Sequence, residues 1–285
     1  MYTQAHLRRL GSPIQDEGAP CPLGPGCPAS EQKKVSGLGT VLITASGKGG
    51  TGKTSFCCGV AVALCALGEK VLLVDADSGL RALDIVLGMT DSLLFSFSDV
   101  IAGRASLKEA AVRHPIVKNL RVLTAPASSA LEPCVTAQSV AAFLQKCRAH
   151  FTYTIVDCPA GLTDTIAYFA GGADRAAIVS TPDYTSLRGA EQAAQICYRQ
   201  QLDNVRIVVN RVRPGMIEQG DMVNIDRAMD LAGLGLLGVV PEDRDIIACG
   251  NAGKVLMLYS EGPAVTAYNN IARRLRGEKV RLMRL

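Results

Sequence analysis

The stretch Val41-Leu42-Ile43-Thr44-Ala45-Ser46-Gly47-Lys48-Gly49-Gly50-Thr51-Gly52-Lys53-Thr54-Ser55 decides the fold. An apolar run gives way to a glycine-rich loop, and the loop to a segment rich in Ala, Val and Cys. From Gly47 to Thr54 the residues fit G-x-x-x-x-G-K-[ST], in the strand–loop–helix setting that a phosphate loop requires. Glycines let the backbone wrap tightly, so successive N–H groups converge on one anion. The helix N-terminus adds its partial positive charge. Lys53 is placed to reach the terminal phosphates, and the Thr54 hydroxyl to ligate Mg²⁺. Lys48 is a second lysine that an ordinary phosphate loop does not need, and the loop offers it no local partner.

Working outward, β-branched or leucine-rich runs recur at Val41–Thr44, Val71–Asp75, Arg121–Thr124, Tyr153–Asp157, Ala177–Thr181, Arg206–Asn210 and Leu236–Val240. Between them lie longer helical segments, among them Ser55–Leu67, Ala137–Ala149, Thr185–Gln200 and Ala264–Leu275. Apolar strands separated by helices predict an α/β domain with a mostly parallel sheet covered on both faces. Ser55–Leu67 is apolar all round and should be buried against that sheet. Asp157 ends one strand, where a carboxylate beside a phosphate loop anchors Mg²⁺ or its waters. Asp75 and Asp77 end another, at the carboxyl edge where ligands of open α/β sheets bind. One strand-end Asp alone reads equally well as a helix cap; three at one edge point to a nucleotide site.

Composition narrows the function. Of 285 residues, 48% are hydrophobic and 20% charged, as in a globular protein. Trp is absent and aromatics reach only 5%, against a sugar- or base-stacking surface. No apolar run is long enough to span a bilayer, and the first residues do not resemble a signal peptide, so a cytoplasmic protein is expected. The ten cysteines include no C-x-x-C pair and mostly sit in apolar stretches, as buried thiols do. Residues 1–36 hold five of the thirteen prolines and read as a disordered extension, with Cys21 and Cys27 inside it. Residues 277–285 read as a short basic tail. The last fifteen residues carry six Lys or Arg against Glu278, whereas the whole chain carries only +4. The body is thus near neutral, and specific nucleic-acid binding is not expected.

Lys48-Gly49-Gly50-Thr51-Gly52-Lys53-Thr54 resembles the deviant phosphate loop of the MinD/ParA family of ATPases, P-loop NTPases of single-domain α/β fold. Asp75-Ala76-Asp77-Ser78-Gly79-Leu80-Arg81 is similar to its switch I, and Asp157-Cys158-Pro159-Ala160-Gly161 to its switch II. Thr181-Pro182-Asp183 resembles a later strand-end loop. Asn210-Arg211-Val212-Arg213-Pro214 and Pro241-Glu242-Asp243 resemble its base-flanking segments. The likeness runs over residues 37–276, which this reading takes as one ATPase domain.

The resemblance implies ATP and Mg²⁺ as cofactors, with Ser55 beside Thr54 at the phosphates. It makes Lys48 a signature lysine that reaches the partner's phosphates across an ATP-bound homodimer. It assigns Asp77 to the attacking water, Asp75 to the Mg²⁺ shell and the Gly161 N–H to the γ-phosphate. Asn210, Pro241, Glu242 and Asp243 are to flank the adenine. It further implies an ATPase slow without an activator, recruitment of a MinC-like division inhibitor, a MinE-like activator, and membrane attachment through an amphipathic helix. Here the likeness stops at the segment 277–285 that precedes that helix. Val280, Leu282, Met283 and Leu285 among its basic residues lead to an expectation of only weak peripheral attachment to anionic membrane. The sequence departs from the family at Ala82, where Asn is usual, and at Cys158, where Ser is common. A flagellar-number or ParA-type partitioning ATPase, or a nucleotide-binding scaffold with little turnover, shares the same nucleotide site. An iron–sulfur carrier would need paired cysteines across a dimer, with Cys134 and Cys158 the isolated candidates.

Overall fold

Strand β1 (Thr40–Ala45) is buried from Val41 onward because it lies at the middle of a sheet, between two parallel strands. The computed structural model describes residues 38–283, apart from 79–80, 91, 93 and 127–131. The expected extension 1–36, with Cys21 and Cys27, lies outside the described residues, as do Gly79, Leu80, Arg284 and Leu285.

Among the described residues eight strands form one sheet in the order β3-β4-β2-β5-β1-β6-β7-β8. They are β1, β2 (Val71–Asp75), β3 (Val112–Arg113), β4 (Leu120–Leu123), β5 (Tyr153–Asp157), β6 (Arg175–Ser180), β7 (Val205–Val212) and β8 (Gly235–Pro241). All neighbours are parallel except β3 and β4. The seven predicted strands are present, β2 and β5 with the expected bounds and the other five with ends moved by one or two residues. The two-residue edge strand β3 has no periodicity to betray it, since its pairing with Val122 and Arg121 alone defines it.

Along β1 and β2, Val41, Ile43, Ala45, Leu72 and Val74 turn to one face, where they join a core with helices α5 (Ala137–His150), α6 (Asp164–Ala170) and α7 (Tyr184–Arg199). Phe97, from α3 (Phe97–Ile101), packs edge-on against Phe169 there at 5.7 Å. The other face is covered by α1 (Lys53–Ala66) and α12 (Pro263–Leu275). Helix α1 starts at Lys53, two residues earlier than expected, and is buried along nearly its whole length. Tyr268 of α12 lies against it so closely that a Cβ on Gly59 would fall 2.3 Å from the Tyr268 ring. Six of the eight described cysteines are buried, as expected. No helix among the described residues is long and apolar enough to cross a membrane.

The basic C-terminal region is less free than its sequence suggests. Arg273 pairs with Glu278 at 2.7 Å, and Arg276 with Glu69 at 3.2 Å. Arg274 donates to the carbonyls of Leu237 and Val280, each at 3.0 Å. Residues 278–283 form no helix.

Candidate nucleotide-binding site

Parallel strands all deliver their carboxyl ends to one edge, so the loops after β1, β2, β5, β6, β7 and β8 gather there. The loop after β1 is shaped by Gly50 and Gly52, whose φ values of 77° and 91° lie in the left-handed region. No side chain caps helix α1 at Gly52, in contrast to α5, which Thr136 caps, and α7, which Asp183 caps. The amides of its first turn, with Thr54 and Ser55, are thus left for an anion. A Cβ on Gly47 would lie 2.2 Å from the carbonyl oxygen of Gly189 in α7, so loop and helix meet backbone to backbone.

Thr54 Oγ1 donates to Asp157 Oδ2 at 2.6 Å. Asp157 is 2% exposed, and among the described residues its Oδ1 has no hydrogen-bond partner. Asp75 lies directly across from it in the β2–β5 register. It accepts from the Asp77 amide at 2.9 Å and from the Leu83 amide at 3.4 Å. Burial first, and the neighbouring Asp157 charge second, push the Asp75 carboxyl up to about 7. Burial pushes Asp157 up to about 6, against the pull of the Thr54 hydrogen bond and the Lys53 ammonium. Asp77 is raised by burial and drawn back by Lys53. A hydroxyl, a buried half-satisfied carboxylate and a second carboxylate beside it fit a divalent cation, which would relieve both raised acids. Among the described residues no three His, Cys, Asp or Glu side chains are grouped to hold a metal by themselves.

Lys53 is only 7% exposed. Lys48, for which the loop offers no local partner, lies 3.9 Å from Asp183 of a distant loop, with both side chains about half exposed. Burial raises the Asp183 carboxyl, but hydrogen bonds from Thr181, Ser186 and Thr185 outweigh it and hold the group well below the usual range. Asp183 was legible as part of a strand-end loop; its closeness to Lys48 was not, because 135 residues of fold separate them.

Four residues expected to face the nucleotide have bonds within the protein. The Gly161 N–H, assigned to a phosphate, donates to the Ser46 carbonyl at 3.1 Å. Asn210 donates through Nδ2 to the Thr51 carbonyl at 2.7 Å and so braces the loop, while its buried Oδ1 has no partner among the described residues. Glu242 is paired with Arg213, and Asp243 caps α10 (Arg244–Asn251) and accepts from the Ala264 amide at 3.2 Å. Both acidic side chains beside Pro241 are therefore engaged within the protein. Cys158 is fully buried, which removes it from a cluster shared between subunits.

Residues 42–256 match the family model described as the CobQ/CobB/MinD/ParA nucleotide binding domain. The chain is 34% identical over 246 residues to the septum site-determining protein MinD of Bacillus subtilis, covering 86% of this chain and 92% of that protein. Its fold superposes with a TM-score of 0.79 on a MinC:MinD cell division protein complex from Aquifex aeolicus, at 30% identity, over 86% of this chain and 99% of the other. It superposes with a TM-score of 0.72 on the septum site-determining protein MinD of Pyrococcus horikoshii complexed with Mg-ADP, at 25% identity, over 83% and 95% of the two chains.

Proposed function

The chain belongs to the CobQ/CobB/MinD/ParA nucleotide-binding family, and from that premise we propose that it is an ATP-dependent switch for placing the division septum. The observation that carries the reading is the Thr54–Asp157 contact, with a second, unpartnered carboxylate oxygen buried beneath an uncapped helix N-terminus. The relative solved with Mg-ADP supports the choice of ligand, and the solved MinC:MinD complex supports a MinC-like inhibitor as partner.

In this reading the loop amides and Lys53 hold the phosphates of ATP, and Thr54, Asp157 and Asp75 hold Mg²⁺ and its waters. Mg²⁺, when bound, would neutralise phosphate charge. Asp77 orients the attacking water by accepting a hydrogen bond from it. Asn210 Oδ1 is free to accept from the exocyclic amine of adenine, while Nδ2 stays on Thr51. Gly161 leaves the Ser46 carbonyl and turns its N–H to the γ-phosphate. Lys48 leaves Asp183 for the phosphates of a second copy. A pair of half-exposed charges at this separation contributes about 0–1 kcal/mol, so that exchange is energetically easy. ATP thus drives dimerisation and inhibitor recruitment, and hydrolysis, hastened by a MinE-like activator, releases the complex.

The protein is cytoplasmic in this reading, with weak attachment to anionic membrane. The internal pairing of Arg273, Arg274 and Arg276 leaves Lys279 and Arg281 as the basic side chains of the described tail for lipid. The test is phosphate release and mass by light scattering, with ATP and Mg²⁺, with and without anionic vesicles. An ATP-dependent dimer with measurable turnover is expected. ATP binding with no turnover under any condition would turn the reading to a scaffold.

A further inference from the structure

His114 follows β3 on the way to β4 and is 6% exposed. Its ring nitrogens have unlike partners. Nδ1 accepts from the amides of Ile116 at 3.1 Å and Val117 at 3.0 Å. An atom facing two donors carries a lone pair, so the ring proton sits on Nε2. Nε2 therefore donates to the carbonyl of Leu87, 3.2 Å away.

Leu87 is the residue that closes helix α2 (Ala82–Val86). The other end of α2 is tied to the nucleotide site, since the Leu83 amide donates to Asp75 Oδ2; Arg81 Nε, just before the helix, donates to Thr124 Oγ1 at 3.2 Å. Just past Leu87, Gly88 has φ 66° and approaches Gly253 so closely that a Cβ there would lie 2.4 Å from the Gly253 carbonyl oxygen. Helix α2 is five residues, about 7.5 Å long. A helix this short has little stability of its own, so its place is set by its packing against α1 and α10, with Leu83 fully buried, and by what holds its ends. One end is held by a carboxylate of the candidate site, the other by the His114 hydrogen bond together with the Gly88–Gly253 approach.

We propose that His114 is a positioning residue for the Asp75–Asp77 segment, acting through the Leu87 carbonyl and helix α2. The proposal rests on the reading that Asp75 and Asp77 serve a bound nucleotide. His114 touches no part of the site. It fixes the far end of the helix whose near end rests on Asp75, and so limits where Asp77 stands.

The two nitrogens have different tasks, and two substitutions separate them. His114→Asn keeps a polar atom near the Nδ1 position for the Ile116 and Val117 amides and loses the reach to Leu87. His114→Gln keeps a donor near the Nε2 position and loses the acceptor for the two amides. His114→Asn is expected to melt near the wild type, to bind a fluorescent ATP analogue within about twofold of it, and to lose roughly tenfold in kcat. His114→Gln is expected to melt lower and keep its kcat. Hydrogen exchange adds a readout independent of turnover: the amides of residues 83–88 should exchange faster in His114→Asn than in the wild type or His114→Gln. Unchanged exchange there in His114→Asn overturns the proposal, as does loss of activity in both variants in step with melting temperature. A wild type that neither binds nor hydrolyses ATP would instead overturn the reading of the site, while the exchange measurement would still decide the anchoring of α2.

Discussion

Lys48 Nζ stands 3.9 Å from the carboxylate of Asp183, the residue that caps helix α7. The contact joins the start of the phosphate loop to the loop after β6. Its half-exposed setting makes it a resting place for the lysine and not a structural bond.

Lys48→Ala should therefore leave stability within about 1 kcal/mol of the wild type and retain ATP binding, but lose ATP-dependent dimerisation. Lys53→Ala, at a buried position beneath the loop, should weaken nucleotide binding itself. Light scattering with ATP and Mg²⁺, alongside a fluorescent-nucleotide titration, separates the two. A Lys48→Ala protein that dimerises normally on ATP removes the intersubunit role.

Asp77→Ala should bind ATP, dimerise and stall, with phosphate release down by about 10²-fold or more, the usual size of a general-base contribution. The Asp77 amide, not its side chain, bonds Asp75, so the substitution spares that contact. Turnover equal to wild type would reduce Asp77 to a support of its loop.

His114 sets a pH dependence of stability. Burial lowers its pKa from the ordinary value of 6.5, with the Leu87 carbonyl pulling the other way. Below pH 6.5 the unfolded chain takes up a proton that the folded state resists, so stability is lost as pH falls. Melting curves from pH 8 to pH 5 should show the wild type losing more than His114→Asn over this range. Parallel curves for the two proteins would remove His114 as the source.

Sedimentation with anionic vesicles should show weak binding that needs ATP and disappears at high salt, because the remaining attraction is electrostatic and screened. Tight, salt-insensitive binding would point to an apolar anchor. No binding at either salt would remove the membrane step from the proposed cycle.

The phosphate loop, the parallel sheet and the three acids at its edge were legible because each rests on local pattern: a glycine spacing, a β-branched run, a strand-end Asp. What escaped the sequence depends on residues far apart meeting. Nothing near Lys48 announces Asp183, nothing near Gly161 announces the Ser46 carbonyl, and β3 exists only through its partner strand. The C-terminal arginines misled in the opposite direction. Charge could be counted from sequence, but the bonds to Glu69 and the Leu237 carbonyl follow from where α12 packs, and those to Glu278 and the Val280 carbonyl from the chain folding back after the helix. Asn210 could be picked out from its strand-end position, but its bond to the Thr51 carbonyl, which makes it a brace of the loop, could not.

The seat of Gly47 against Gly189 limits how this nucleotide loop can be borrowed. A methyl group at Gly47 would collide with the Gly189 carbonyl at 2.2 Å, and one at Gly189 would crowd the Gly47 Cα at 3.1 Å. A chimera that grafts Val41–Ser55 onto a relative with a side chain at the Gly189 position would have to shift the loop, by a few tenths of an ångström for a methyl and further for anything larger. The portable cassette for protein engineering therefore extends through helix α7, from Val41 to Arg199, and cannot be trimmed to the glycine motif.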